Sequence, residues 1–355
     1  MAEFGKKNVT IADIARAAGV SKATVSRYIN GKFNLISEAS QARIKAVIDV
    51  TDYNPNSIAQ SLRTNQSFQI GVVVADISSP FSSALIRGVS SELLPAGYVP
   101  LFMDSKNSLE LETRFIKILM ARKIDGLIVN TSDGRNPSLI QLACTGFPIV
   151  LCDRLVDDYN FSYVGSDHTS PVLAVMDHLK EEGFEKVAFF TQDYSHNSAR
   201  SLRLAAYRQK MAQLYPQYDA QVLTKLIRLE DLSETKLALR ALMDSCKDGQ
   251  TPAIIASNSV TGMHVISAAA ELGISFPEDC GFCCPDDFGW ENAINWPILG
   301  GGITTFNVHP NQIGVASAAA LLRLMKNKED KSNILVPSEL VVRDSTRLRT
   351  RKSSQ

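Results

Sequence analysis

Apolar positions in the first fifty residues recur at helical spacing, whereas after residue 70 they come in short β-branched runs separated by amphipathic windows. Thr10 is placed to cap a helix over Ile11–Ala18, with Asp13 three residues on as a partial capping box, and Gly19 ends it. Ser21 caps a second helix over Lys22–Asn30, in which Val25 and Ile29 share a face, and Gly31 ends that one. A third helix begins at Ser37 and Glu38, where Ile44, Val47 and Ile48 form one stripe through Val50. Pro55 breaks the pattern. Residues 56–63 can form two helical turns with Ile58, Ala59 and Leu62 on one side, a length that is marginal for an isolated helix in water. Thr64–Gln69 is polar and reads as a linker.

From Ile70 onward the pattern predicts strands at Ile70–Ala75, Val99–Met103, Gly126–Val129, Ile149–Cys152, Val187–Thr191, Val222–Ile227, Ala253–Ala256 and Phe282–Cys284. Helical windows fall at Ser82–Leu94, Leu111–Arg122, Ser138–Ala143, Pro171–Glu182, Ala199–Leu214, Leu232–Cys246, Thr261–Leu272 and Asn311–Met325. Such alternation predicts parallel sheets with helices on both faces, and its length suggests two α/β units. No short-period repeat is present.

Composition adds little to this picture, but charge distribution does. The 355 residues are 45% apolar and 21% charged, as in an ordinary globular protein, and Lys plus Arg equals Asp plus Glu at 37 each. Residues 1–67 nevertheless carry nine basic and five acidic side chains, a net of +4, so the remainder is net −4. A basic head on an acidic body suits an anionic partner at the N-terminus, and a solvated charged surface would look the same. No apolar run nears the ~18 residues needed to cross a bilayer, and Met1–Lys7 leads into polar sequence, so a cytoplasmic protein with no membrane partner is expected. The six cysteines sit mostly in apolar stretches, which suits buried thiols better than disulfides.

The segment Val9–Gly31, VTIADIARAAGVSKATVSRYING, is the strongest local signal. Two short helices joined through Ala18-Gly19-Val20-Ser21, with small residues where they cross, meet the requirements of a helix-turn-helix. The second helix would then enter the major groove by its N-terminal end. Arg27 is suited to a bidentate pair with guanine, Lys22 to guanine or a phosphate, and Ala23 to a thymine methyl. Thr10, Ser21, Thr24, Ser26 and Asn30 are short polar side chains suited to phosphates. A small helical hairpin with a charged surface is the alternative.

These residues resemble the DNA-binding head of the lactose/purine repressor family, and the rest of the chain follows that family's order. Tyr53-Asn54-Pro55-Asn56 and Ala59-Gln60-Ser61-Leu62-Arg63 resemble its hinge, and Ile70-Gly71-Val72-Val73 its first sensor strand. Asp76 to Phe81 (DISSPF), Asp125 to Ile128 (DGLI), Asp153-Arg154, Val164 to Asp167 (VGSD), Pro277 to Asp279 (PED), Thr304-Thr305 and Leu340 to Thr346 (LVVRDST) continue it, so the match runs over residues 9–347. The resemblance implies an all-α helix-turn-helix head plus an α/β, two-lobed, periplasmic-binding-protein-like sensor with parallel sheets. The expected divisions are a head at 1–53, a hinge helix and linker at 54–69, an effector-binding and dimerisation body at 70–347 and a basic tail at 348–355. It further implies a homodimer on a palindromic operator in double-stranded DNA, with Leu62 as a minor-groove wedge and Asn56 and Ala59 facing the same groove. Leu62 packing on its own head is the plainer alternative.

Family positions in the ligand cleft fall on Phe81 as a wall, Asp153, Arg203 as a cationic clamp, Asn258 and Asp286; Trp290 and Trp296 could supply an aromatic wall near Asp286. Taken singly, each is also an ordinary surface or turn residue. Two departures stand out: Ser259 replaces the family's usual Asp after Asn258, and Ala206 its usual Gly. Losing a carboxylate while keeping Arg203 favours a sugar acid over a neutral sugar as effector. Cys280-Gly281-Phe282-Cys283-Cys284 contains a Cys-x-x-Cys without a second ligand pair, and the five histidines are scattered, so neither a metal, a cofactor nor a catalytic triad is expected. The expected function is a ligand-responsive repressor of carbohydrate-utilisation genes. A solute-binding protein and an α/β enzyme with an accessory DNA-binding head are the rivals; secretion would favour the first and a catalytic constellation in the cleft the second.

Overall fold

The computed structural model describes residues 9–29, 31–51, 53, 66–247, 249–285 and 302–348. The chain divides into two compact units, Met1–Ser67 and Phe68–Gln355. In the first, α1 (Ile11–Ala18), α2 (Lys22–Ile29) and α3 (Glu38–Thr51) enclose a small core of Ile14, Ala15, Ala18, Val25 and Ile44. The 3-10 turn Phe33–Leu35 is tied to α3 by Gln41, whose Nε2 donates to the carbonyls of Phe33 and Ile36.

The second unit holds two six-stranded sheets. Sheet one, in the order β11-β5-β4-β3-β1-β2, contains β1 (Gln69–Val74), β2 (Val99–Asp104), β3 (Gly126–Val129), β4 (Ile149–Cys152), β5 (Ser162–Ser166) and β11 (Asn333–Val336). Sheet two, in the order β12-β10-β9-β8-β6-β7, contains β6 (Lys186–Thr191), β7 (Thr224–Leu226), β8 (Pro252–Ala256), β9 (Gly281–Pro285), β10 (Thr304–Asn307) and β12 (Glu339–Val341). Every pairing is parallel except β10 with β12.

Helices cover both faces, which is why the central strands read as unbroken apolar runs. In sheet one, Ile70, Val72, Val74, Ile128 and Val150 face one core while Val73, Leu127, Val129, Ile149 and Leu151 face the other, the alternation a pleated strand imposes. The helices of this unit are α4 (Pro80–Leu93), α5 (Leu109–Ala121), α6 (Pro137–Cys144), α7 (Ser170–Glu181), α8 (Ser198–Leu214), the short α9 (Ala220–Leu223), α10 (Leu232–Asp244), α11 (Ser259–Leu272) and α12 (Pro310–Lys326). Among the described residues the chain passes between lobes at residues 167–169, 308–309 and 337–338, and the first and third crossings are joined where Ser338 Oγ donates to the Asp167 carbonyl at 3.1 Å.

Helices α4 and α12 cross at two glycines. A Cβ at Gly88 would fall on the carbonyl oxygen of Asn311, and one at Gly314 on that of Leu85. Neither backbone can yield alone, so Gly88→Ala should destabilise this unit by about 1–3 kcal/mol or more. An unchanged denaturation midpoint would show that the two helices separate freely.

Two differences from the periodic reading have local causes. Residues 222–227 do not form one strand, because Asp219 accepts the N–H of Gln221 at 2.8 Å and caps the helical turn α9 before β7 starts at Thr224. Strand β5 escapes periodicity because it buries Ser162 and Ser166 beside Tyr163 and Val164, offering no apolar run.

Candidate functional site

In the N-terminal unit, α1 is fixed at both ends. Thr10 and Asp13 form a complete capping box, and the hydroxyl and then the backbone N–H of Thr10 hold the Asp13 carboxyl below its usual range. Gly19 adopts φ +62°, a left-handed conformation that returns its N–H to the carbonyls of Ala15 and Arg16. Ser21 Oγ accepts the N–H of Thr24 at 3.1 Å and sits 2.9 Å from the Thr24 hydroxyl, which starts α2 without delay. Val25 turns into the core, so the opposite side of α2 presents Lys22, Ala23 and Arg27 to solvent, with Ser21 and Thr10 also exposed and Thr24 and Ser26 half-buried. A cation-bearing helix face headed by short polar side chains is what major-groove reading uses. Asn30, Asn56, Ala59 and Leu62 lie outside the described residues.

In the second unit a cavity of about 460 Å³ opens between the lobes. Phe81, Asp153, Arg203 and Asn258 all line it; Asp286, Trp290 and Trp296 lie outside the described residues. Phe81, on the first turn of α4, packs against the cores of both lobes. Asn258 caps α11, its Oδ1 accepting from Thr261 N–H at 2.8 Å, while its Nδ2 donates to Gln192 Oε1 at 3.1 Å. Ser259 lines the same wall.

Asp153 follows β4 with φ +64° and is 6% exposed. Its Oδ1 stands 3.3 Å from His168 Nε2 yet has no well-aligned hydrogen bond among the described residues; the ring nitrogen lies 3.2 Å from the Asp153 carbonyl oxygen instead. Burial alone would raise the Asp153 pKa, but the contact with His168 and the guanidinium charges of Arg203 and Arg154 outweigh it and hold the carboxyl below its usual range. Arg203, on α8, is 4% exposed; Nη1 donates to the Ser257 carbonyl at 2.7 Å and Nη2 lies 3.2 Å from His168 Nδ1. Its Nε has no hydrogen-bond partner among the described residues.

Periodicity gave no sign of two further arginines. Arg154 Nη1 donates to Asn107 Oδ1 at 3.2 Å and to the Thr131 carbonyl at 3.0 Å, and burial depresses its pKa against the pull of Asp153 and Glu112. Arg200 donates to the Asp193 carbonyl at 2.7 Å and to Gln192 Oε1. Burial, then repulsion from Arg154 and Arg203, pushes its pKa down to about 9, which still leaves it charged at neutral pH. Arg200 was within reach of sequence reading, since it precedes Arg203 by three residues and so shares its helix face. His168 was not, because its partners lie 15 and 35 residues away. Together these groups form a cavity able to take the carboxylate of a ligand on guanidinium donors while Asp153 accepts from a hydroxyl.

A helix-turn-helix unit with an exposed cationic helix face, followed by a two-lobed α/β body around a polar cavity, defines a helix-turn-helix transcription regulator with a periplasmic-binding-protein-like body. Residues 10–56 match the bacterial regulatory proteins of the lacI family, and residues 176–346 match the periplasmic binding protein-like domain. The chain is 33% identical over 344 residues to the HTH-type transcriptional regulator KdgR of Bacillus subtilis (strain 168), spanning 95% of this chain and 98% of that protein. It is 32% identical over 339 residues to the HTH-type transcriptional regulator PtxS of Pseudomonas aeruginosa, spanning 95% and 96%. Its fold is similar to the crystal structure of the Lac repressor dimer bound to operator and the anti-inducer ONPF, with TM-score 0.78, 24% identity and coverage of 96% of this chain and 99% of that one. The chain belongs to the lacI family of bacterial transcription regulators.

Proposed function

We propose that this regulator is a cytoplasmic homodimeric repressor of carbohydrate-utilisation genes, and that an acidic sugar bound in the interlobe cavity sets its affinity for a palindromic operator. The observation that carries the ligand class is Arg203, buried on the cavity wall with an Nε lacking a partner among the described residues, beside Arg154 and Arg200. A neutral sugar brings no charge to this cationic wall, whereas a carboxylate pairs with it. Ser259 supports the same reading, since the carboxylate usual at that position would repel an anion. The body is a binding module rather than an enzyme. Asp286 and Trp290 would complete the ligand contacts.

On DNA, Lys22, Ala23 and Arg27 read base edges while Thr10, Ser21, Thr24, Ser26 and Asn30 position the head on phosphates. The proposed divisions are 1–53 for the head, 54–69 for a hinge that orders on DNA, 70–347 for the body and 348–355 for a basic tail. In the hinge, Leu62 wedges into the minor groove beside Asn56 and Ala59, offsetting base unstacking by a larger contact. Arg27→Ala should relax base choice at one operator position at a cost of roughly 1–3 kcal/mol, read by selection from randomised duplexes. Uniform weakening across all sequences would make Arg27 a phosphate contact instead.

Calorimetric titration of the full chain with gluconate, glucuronate and galacturonate, against glucose and galactose, tests the ligand class. Binding of an acid with rejection of the neutral sugars is the expected result. Binding only of a neutral sugar overturns it.

A further inference from the structure

His168 sits on the first crossing between lobes, 3% exposed, with its two ring nitrogens facing cavity residues of opposite lobes. A guanidinium has donors only, so the 3.2 Å contact from Arg203 Nη2 makes His168 Nδ1 an acceptor. With Nδ1 accepting, the ring proton lies on Nε2, which faces the Asp153 carbonyl oxygen at 3.2 Å and Oδ1 at 3.3 Å. Arg203 is thus held at both terminal nitrogens, by His168 and by the Ser257 carbonyl at 2.7 Å, while its guanidinium carbon lies 5.8 Å from the centre of the Phe306 ring. Its Nε is buried without a hydrogen-bond partner among the described residues. Asp153 is held too, since the Tyr163 hydroxyl donates to the same carbonyl oxygen at 3.2 Å.

Resting on the acidic-ligand reading above, we propose that His168 is a positioning residue that keeps Arg203 and Asp153 apart as separate ligand-binding groups and so sets the preference for an anionic ligand. The imidazole stands between a buried cation and a buried carboxylate whose mutual attraction would otherwise draw them into a direct pair. Such a pair would satisfy both groups internally and remove the charge that a ligand carboxylate needs. The ring separates them: it accepts from Arg203 and donates to the Asp153 carbonyl oxygen. An asparagine can accept from Arg203 at the same place as Nδ1, whereas an alanine leaves room for the pair to close.

The test uses the full-length chain, with gluconate, glucuronate and galacturonate as acidic probes and glucose and galactose as neutral ones. His168→Ala should bind the acid that the wild type takes roughly ten- to hundredfold more weakly, the loss of a hydrogen bond to a charged group, and the ratio of acid to neutral affinity should fall with it. His168→Asn should restore most of that ratio. Nitrogen-15 NMR of histidine-labelled wild type, without ligand, should show His168 with its proton on Nε2. Alanine binding the acid as tightly as wild type, asparagine as weak as alanine, or a proton on Nδ1 would each overturn the proposal. Should the alanine variant fail to fold, the asparagine variant and the tautomer still decide. Wild type that takes only neutral sugars would sink the acidic-ligand reading itself, and the tautomer would still report whether His168 holds Arg203.

Discussion

Arg203→Met should weaken binding of an acidic sugar by about 2–5 kcal/mol, the scale measured when one member of a buried, hydrogen-bonded charge pair is removed. Methionine keeps much of the side chain's bulk, so the packing against Phe306 and the wall of α8 survives better than with alanine. What disappears is the charge and the donor set: Nη1 on the Ser257 carbonyl, Nη2 on His168, and the Nε that has no partner among the described residues. Arg154 and Arg200 do not substitute, because each is already committed, Arg154 to Asn107 and Thr131 and Arg200 to Asp193 and Gln192. The variant should also leave Asp153 without one of the cations that keep its carboxyl below the usual range, so its pKa should rise towards the value burial alone would impose. Calorimetry on the folded variant reads the loss; acid binding at wild-type affinity would place the anion elsewhere in the cavity.

Removing residues 1–60 should eliminate sequence-specific DNA binding while leaving ligand binding within about twofold of the full chain. The two functions have separate cores. Among the described residues, Ile14, Ala15, Ala18, Val25 and Ile44 close the head, whereas the clusters around sheets one and two begin at Ile70. Every described lining residue of the cavity also lies beyond residue 74. Operator retention by the truncated chain would assign DNA reading to the body, and loss of ligand binding would mean that the head completes the cavity.

Much of this architecture was legible because it rests on local rules. Thr10 with Asp13, Gly19 at positive φ and Ser21 with Thr24 punctuate the head where capping chemistry requires, and buried parallel strands such as β1 and β8 announce themselves as apolar runs. Strand β10 was not visible to periodicity. Thr304 and Thr305 are fully buried, and the Thr304 hydroxyl and N–H find partners 39 to 42 residues away, in the Arg343 carbonyl, Ser345 and Thr346. The site divides in the same way. Phe81, Asp153, Arg203 and Asn258 came from family register and do line one cavity, yet periodicity offered nothing to single them out. Arg154 and His168 matter through what the fold brings against them, Asn107, Thr131 and Glu112 for the first and Asp153 and Arg203 for the second.

The central claim is that an acid in the cavity controls what the head does on DNA. Selecting from random duplexes those that the full chain retains, and then titrating that complex with gluconate, glucuronate and galacturonate while following DNA anisotropy, addresses it directly. At least one acid should shift DNA affinity by roughly fivefold or more, the lower end of ordinary allosteric coupling, while glucose and galactose leave it unchanged. DNA affinity that responds to a neutral sugar and ignores every acid would contradict the account.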